Sequence, residues 1–321
     1  MSATTGTGHP NVNYLLDSGP AEIKRLSEQH FFVKAVFDHP DLLPAAVDRK
    51  KIRRVLDAAA GTAAWALDLS DQPFASSYEI YASDITLSKF PPEDVLQRAR
   101  IRTLQQDLTK PFPDDMKGTF DLVHTAALVV ALTEDDWNNM LKNVYDLLAP
   151  GGYLVVADSD LIVYTAEDPP PPDGTPHDLD ARIGGPTIVH AIDNILVGLA
   201  RERGFVIGLS YRLRDMLRAA GFSILSRQRV LVPNGALLDT QLSANGNSLA
   251  RFRKPVTENP SPNPLMDAVT RLLLSQGKLE APKGVTIDNE EDRVAFLKAA
   301  QQAMDDGVLA VASEWVAQKS A

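Results

Sequence analysis

"VLDAAAGTAAWALDLS", residues 55–70, reads as a strand that runs through a tight turn into a helix. That junction presents free backbone N–H groups and a partial positive charge, the usual cradle for a polar ligand. Glycines serve such a turn because they accept positive φ and let a ligand approach the backbone. This turn carries one glycine, Gly61, flanked by Ala59 and Ala63. The effect of the alanines depends on backbone angle. A left-handed Ala59 costs about 1–2 kcal/mol and its methyl crowds the ligand. At negative φ the substitution costs little and stiffens the loop. Ala63 is expected inside the helix, where alanine is the better helix former by about 1 kcal/mol.

The pattern continues on both sides of this stretch. "SSYEIYASD" is a second strand ending at Asp84, and "ARIRTLQQD" a third ending near Asp107. "TFDLVHTA" is a fourth and "YLVVADSD" a fifth. Between them "DDWNNMLKNVYDLLAPGG" has a helical stripe, Trp137, Leu141, Val144 and Leu148, with Pro150-Gly151-Gly152 as the stop. Strands alternating with helices imply parallel pairing through right-handed crossovers, hence an open, doubly wound α/β sheet. Upstream, residues 20–37 predict an amphipathic helix with Ile23, Leu26, His30, Val33 and Phe37 on one side and Pro20 at its first turn. Downstream come a Pro/Gly-rich connection (167–186), two helical segments, the strand-like "FSILSRQRVLVP" and a linker at 255–264. Helices near 264–276 and 290–306 and a last strand in "GVLAVASEWVAQKS" complete the chain. Expected boundaries are a helical lid segment (1–50), a Rossmann-like core (51–160) and a substrate region with the last strands (161–321).

The 321 residues are 44% hydrophobic and 23% charged, enough for a full-sized core. The formal net charge of −10 disfavours phosphate-backbone binding, which needs clustered Lys and Arg. With no cysteine there is no disulfide, thiolate metal site or thiol nucleophile. No apolar run is long enough to span a bilayer, and the polar N-terminus lacks the pattern of a signal peptide. The expectation is a cytoplasmic protein with a small-molecule substrate and no nucleic-acid or membrane partner. Oligomeric state is left open.

Asp57 closes the first strand, where a carboxylate can accept from an ammonium group. Asp84 is placed to hold ribose hydroxyls, and Asp107 to accept from an adenine amino group. This ordered series, with "LLAPGGYLVVAD" before the fifth strand, resembles class I S-adenosylmethionine-dependent methyltransferases. It is most similar to the fungal secondary-metabolism methyltransferases of the LaeA-like type. "NYLLDSGPAEIKRLSEQHFF" resembles the helix that family carries before its sheet. The resemblance implies a mostly parallel seven-stranded sheet with an N-terminal helical lid and S-adenosylmethionine as cofactor. It implies cofactor contacts from Tyr14, Arg25, Asp57, Ala58, Ala59, Gly61, Asp84, Ile85, Asp107, Leu108, His124 and Thr125. Where the family turn has its first and third glycines this chain has Ala59 and Ala63. Where the family often has an arginine it has Ala126.

A sulfonium carries an already activated methyl group, so the protein chiefly aligns the reactants. A histidine base can add about 10²–10⁴-fold for a protic acceptor. Three histidines are candidates: His30 on the covering helix, His124 at the end of the fourth strand, and His190 in the divergent 165–200 region. Each also reads as an ordinary packed or exposed histidine. His9 and His39 fall in loops and His177 follows the proline run. Gln29 and Phe32 are candidates for the substrate side. No ligand pattern for a metal is present. The expected activity is methyl transfer to an O or N acceptor of a natural product. The alternatives are a methyltransferase-fold enzyme that catalyses a cyclisation or pericyclic step, suggested by the alanine-substituted turn and Ala126, and a regulatory protein with a vestigial site.

Overall fold

The computed structural model describes residues 19–39, 41–253, 264–277 and 287–320. Tyr14 and His9 lie outside the described residues. The chain runs α1 (Pro20–Phe37), β1 (Arg54–Ala58), α2 (Ala64–Ser70), β2 (Glu79–Asp84), α3 (Glu93–Arg98), β3 (Ile101–Gln105) and β4 (Phe120–Ala126). It continues through α4 (Glu134–Leu147), β5 (Leu148–Tyr164), α5 (Leu179–Gly184), α6 (Ile188–Arg203), α7 (Leu209–Ala219) and β6 (Ser223–Pro233). Last come α8 (Pro264–Ser275), α9 (Glu290–Gly307) and β7 (Leu309–Gln318).

The strands form one seven-stranded sheet in the order β3-β2-β1-β4-β5-β7-β6. β1 to β5 pair in parallel, and β7 is inserted antiparallel to both β5 and β6. This is the mostly parallel sheet with an N-terminal helix that the sequence predicts. The strand order reverses between β1 and β4, which opens a crevice at their carboxyl ends.

Register fixes which side chains share that crevice. Asp57, His124, Val155 and Val316 form one row across β1, β4, β5 and β7. Ala126, Ala157 and Glu314 form the row two residues further on. Side chains alternate along a strand, so both rows face the same side. There Trp65, Ala66 and Leu69 of α2 pack with Val55, Leu122 and Val155. Beside them Ala35, Val36 and Phe37 of α1 pack with Ala157, Val230 and Ala312. The opposite face carries Leu56, Val123 and Leu154 against Trp137, Leu141 and Val144 of α4 and the apolar sides of α6 and α7.

α4 starts at a capping box in which Thr133 and Asp136 satisfy each other's backbone. It ends earlier than the sequence suggests. Leu148 is already extended and pairs with Phe120, so Pro150-Gly151-Gly152 lie inside β5. A register shift between Phe120 and Leu122 absorbs the change. Sheet pairing takes these residues before the helix breakers can act.

The turn after β1 resolves the alanine question. Ala59, Gly61 and Ala63 have φ of 54°, 58° and 55°, all left-handed. Ala63 is the residue before α2, not a member of it, so the expected helix-propensity gain does not apply. Each alanine carries a strain of about 1–2 kcal/mol. The alternation is held by its surroundings. Ala60 N–H donates to the Ser83 carbonyl at 2.8 Å, and Gly61 N–H donates to Asp84 Oδ2 at 2.8 Å.

The loop after β4 is pinned similarly. Leu128 N–H donates to Asp158 Oδ2 at 2.6 Å, and Ser159 N–H to Asp158 Oδ1 at 2.8 Å. Burial pushes the Asp158 carboxyl up to about 7, against the pull of its backbone donors, with the nearby Asp160 adding to the rise.

Two outcomes follow from these loops. Ala59→Gly relieves left-handed strain but loosens the unfolded chain by about 0.4–1 kcal/mol. It is expected to raise the urea-unfolding free energy by about 0.5–1 kcal/mol. Ala63→Gly also loses a fully buried methyl, worth about 0.8 kcal/mol, and is expected to be near neutral. Asp158 is protonated more readily folded than unfolded, so its contribution is complete below its ordinary value near 4 and lost as pH rises to about 7. The stability difference between wild type and Asp158→Asn should therefore shift against wild type by about 1.4 kcal/mol per pH unit between about pH 5 and pH 7, measured as urea midpoints across that range.

Candidate active site

A cavity of about 220 Å³ lies where the carboxyl ends of β1, β2, β4 and β5 meet α1. α1 forms its roof because Leu26, Gln29, His30, Val33, Lys34 and Phe37 recur at helical spacing and all line it. His30 and Lys34 tie this helix to α2: His30 Nε2 lies 2.9 Å, and Lys34 Nζ 2.7 Å, from Asp68 Oδ2. Burial would raise the Asp68 carboxyl, but those two hydrogen bonds hold it below its ordinary value. Ser27 Oγ donates to Thr62 Oγ1 at 3.2 Å and fixes the helix to the β1–α2 turn.

The wall opposite the roof is acidic. Asp57, Ala59, Gly61, Asp84, Ile85, Asp107 and Leu108 all line the cavity. Asp84 accepts from Gly61 through Oδ2 and from Thr86 N–H through Oδ1 at 3.3 Å. Burial is the main reason its carboxyl sits above the ordinary value, against the pull of the Gly61 and Thr86 N–H donors and Lys89. Asp107 Oδ1 accepts from both the N–H and hydroxyl of Thr109, at 2.9 and 2.7 Å, which fixes the turn after β3.

His124 and Asp57 are neighbours in register and bond directly, Nδ1 to Oδ1 at 2.9 Å. The His124 ring stacks on Trp65 at 4.0 Å with planes 5° apart. Trp65 is thus both a core residue and part of the wall. Asp57 Oδ2 is buried and has no hydrogen-bond partner among the described residues. A buried carboxylate oxygen without a donor is costly, and the residue that carries it lines the cavity. It fits a ligand that brings an ammonium group. The nearby Asp84 and Asp107 fit one that also brings sugar hydroxyls and an exocyclic amine. The donor set therefore suits S-adenosylmethionine.

Other candidates lie elsewhere. Ala58 is buried in β1 and Thr125 is buried on β4, its hydroxyl without a partner among the described residues. Arg25 turns along α1 to Glu22 and Gln29, at 2.6 and 2.8 Å. Phe32 points away from the cavity roof, its ring 5.3 Å from that of Phe252. His190 does not line the cavity. Its Nδ1 bonds the Thr187 hydroxyl at the start of α6, and burial, then Arg182, lowers its basicity.

One pair escapes sequence reading. His39, placed in a loop by the sequence, lines the cavity with its Nε2 2.6 Å from Glu314 Oε1. The two residues are 275 positions apart. Only the register of β7 against β5, which sets Glu314 beside Ala157, brings them together. Among the described residues no cluster of three or more His, Asp or Glu could hold a metal. No described helix is long and apolar enough to cross a membrane.

Residues 55–152 match a family model described as a methyltransferase domain. The chain is 31% identical over 147 residues to an N-methyltransferase (tcpN) of Claviceps purpurea, covering 44% of this chain and 50% of that one. It is 29% identical over 150 residues to the methyltransferase grgD of a Penicillium species, again 44% and 50%. It spans about half the length of the curated relatives it matches. Among solved structures, the [4+2]-cyclase SpnF aligns over 84% of this chain and 75% of its own, with 18% identity and a TM-score of 0.43. Residues 55–152 thus match a methyltransferase domain, and the chain is similar over 44% of its length to methyltransferases of fungi such as Claviceps and Penicillium.

Proposed function

We propose that the protein transfers the methyl group of S-adenosylmethionine to an oxygen or nitrogen of a small natural product. The observation that carries this reading is the unpartnered, buried Oδ2 of Asp57 beside two further strand-end carboxylates, Asp84 and Asp107, on one cavity wall. The matched family model and the fungal relatives support it.

Asp57 would take the ammonium group, Asp84 the ribose hydroxyls, and Ile85, Asp107 and Leu108 the adenine. The backbone of Ala59–Gly61 would run along the methionine part. The cofactor supplies a methyl group on a sulfonium, a good leaving group that needs no further activation. The chain's part is then to align the acceptor and exclude water, which can account for about 7–11 kcal/mol of barrier lowering. α1 does both, as it closes the cavity with an apolar and polar stripe. His124, held between Asp57 and Trp65, would border the sulfonium side. His30 anchors the roof. His190, outside the cavity, has no part in this scheme.

The left-handed geometry kept at Ala59 and Ala63 favours a working loop over a vestigial one. Ala126 lines the cavity where the resembled family often has arginine, so this corner is apolar and suited to an uncharged acceptor.

Calorimetric titration with S-adenosylhomocysteine is expected to give saturable heat. Asp84→Ala and Asp57→Ala should each weaken binding about 10–100-fold, the scale of a lost hydrogen bond to a charged group. Labelled methyl from S-adenosylmethionine should appear in a product when the protein is incubated with phenolic and amide-bearing natural products. Binding that is unaffected by both substitutions, or no label transfer across a broad panel, would contradict the proposal.

A further inference from the structure

We propose that His39, positioned by Glu314, is the base that takes the proton from the acceptor's hydroxyl or N–H. This rests on the methyltransferase reading above.

Topology separates the two ends of the cavity. Asp84 closes β2 and Asp107 follows β3, on one side of the switch point. Glu314 sits on β7, beyond β5, on the other side. With strands about 4.8 Å apart, β7 is about 10 Å from β4, and the Glu314 row lies about 7 Å further along the strands than the His124 row. His39 therefore belongs to the end away from the adenosine, in reach of a molecule that sits over β4, β5 and β7.

The surroundings of this end select the acceptor's character. Phe37, Leu42, Ala126, Leu128 and Ala157 make it apolar. A neutral, apolar molecule with a weakly acidic O–H or N–H fits. Its proton needs a local acceptor. His124 is stacked on Trp65 and bonded to Asp57 in the cofactor row. His30 and Lys34, further back along α1, share Asp68. The Asp38 carboxylate beside His39 is engaged by Ser243 Oγ at 2.6 Å and by Asn247. His39 is held by Glu314 and by its stacking on Phe37, with ring centroids 6.4 Å and planes 9° apart. Gln228 of β6 donates to the Phe37 carbonyl at 3.1 Å and fixes the backbone there. An Nε2–H donated to the Glu314 carboxylate leaves the lone pair on Nδ1.

In the step itself the acceptor oxygen or nitrogen forms a bond to the methyl carbon. The carbon–sulfur bond breaks, and its electron pair stays on sulfur as a neutral thioether. The acceptor's proton moves to His39 Nδ1. The resulting imidazolium is stabilised by Glu314 and later returns the proton to water. Glu314 is a positioning residue, since it acts through His39.

The proton transfer can be read without methyl transfer. The protein is saturated with S-adenosylhomocysteine, whose own calorimetric titration reports on the cofactor site. It is then titrated with 4-nitrophenol across pH, and the phenolate absorbance is followed. Circular dichroism checks the fold of each variant. In wild type the bound phenol should ionise at least about one pH unit below the free phenol, a tenfold or greater shift in equilibrium. Glu314→Gln should remove most of the shift and His39→Asn all of it. The proposal is overturned if the phenol binds but ionises as in free solution, if the shift survives in His39→Asn, or if the phenol does not bind at all. Absence of S-adenosylhomocysteine binding would instead count against the methyltransferase reading.

Discussion

The hydrogen bond from Gly61 N–H to the Asp84 carboxylate, at 2.8 Å, is the constraint on which the site depends. It joins the turn after β1 to the end of β2 across the parallel pair. With the Ala60-to-Ser83 bond it forces the turn into a left-handed alternation at residues 59, 61 and 63. That alternation keeps Ala59 and Gly61 on the cavity wall and starts α2 at Ala64, which in turn presents Trp65 to His124. Two alanines accept an unfavourable conformation because the carboxylate and the sheet over-determine it. In the proposed function the same carboxylate also faces the cofactor's ribose, so one group would both build the loop and recognise the ligand.

Around the cavity the chain repeats one device three times. His30 pairs with Asp68, His39 with Glu314 and His124 with Asp57, each joining two different elements. A histidine–carboxylate pair fixes ring orientation and tautomer, which a free histidine cannot do. The first pair anchors the roof, the last lines the cavity at the ends of β1 and β4, and the middle one lines its apolar end. Differences in surroundings, not in residue type, separate their roles: Lys34 shares the first carboxylate, and Trp65 covers the last ring.

Much of this was legible in the chain before any coordinates. The alternation of strands and helices from residue 53, the strand-end acids Asp57, Asp84 and Asp107, and the α1 stripe depend on local periodicity, which sequence displays directly. What was hidden depends on competition or on distance. Pro150-Gly151-Gly152 looked like a helix stop, yet sheet pairing begins at Leu148. Ala63 looked helical, yet the bonds that hold the turn leave it left-handed. His39 and Glu314 carried no signal at all, because their meeting depends on the antiparallel insertion of β7. His190 drew attention by lying in a divergent segment, whereas its actual work is at the start of α6.

The central claim is that the crest of β1, β2 and β3 holds an adenosine-bearing sulfonium despite its alanine turn. Mass spectrometry of small molecules released by denaturing the purified protein tests it most directly. The account predicts S-adenosylmethionine or its demethylated product in the released fraction, and loss of that signal from the Asp84→Ala variant. Correctly folded protein that releases neither molecule, and takes up neither when they are supplied in excess, would contradict it.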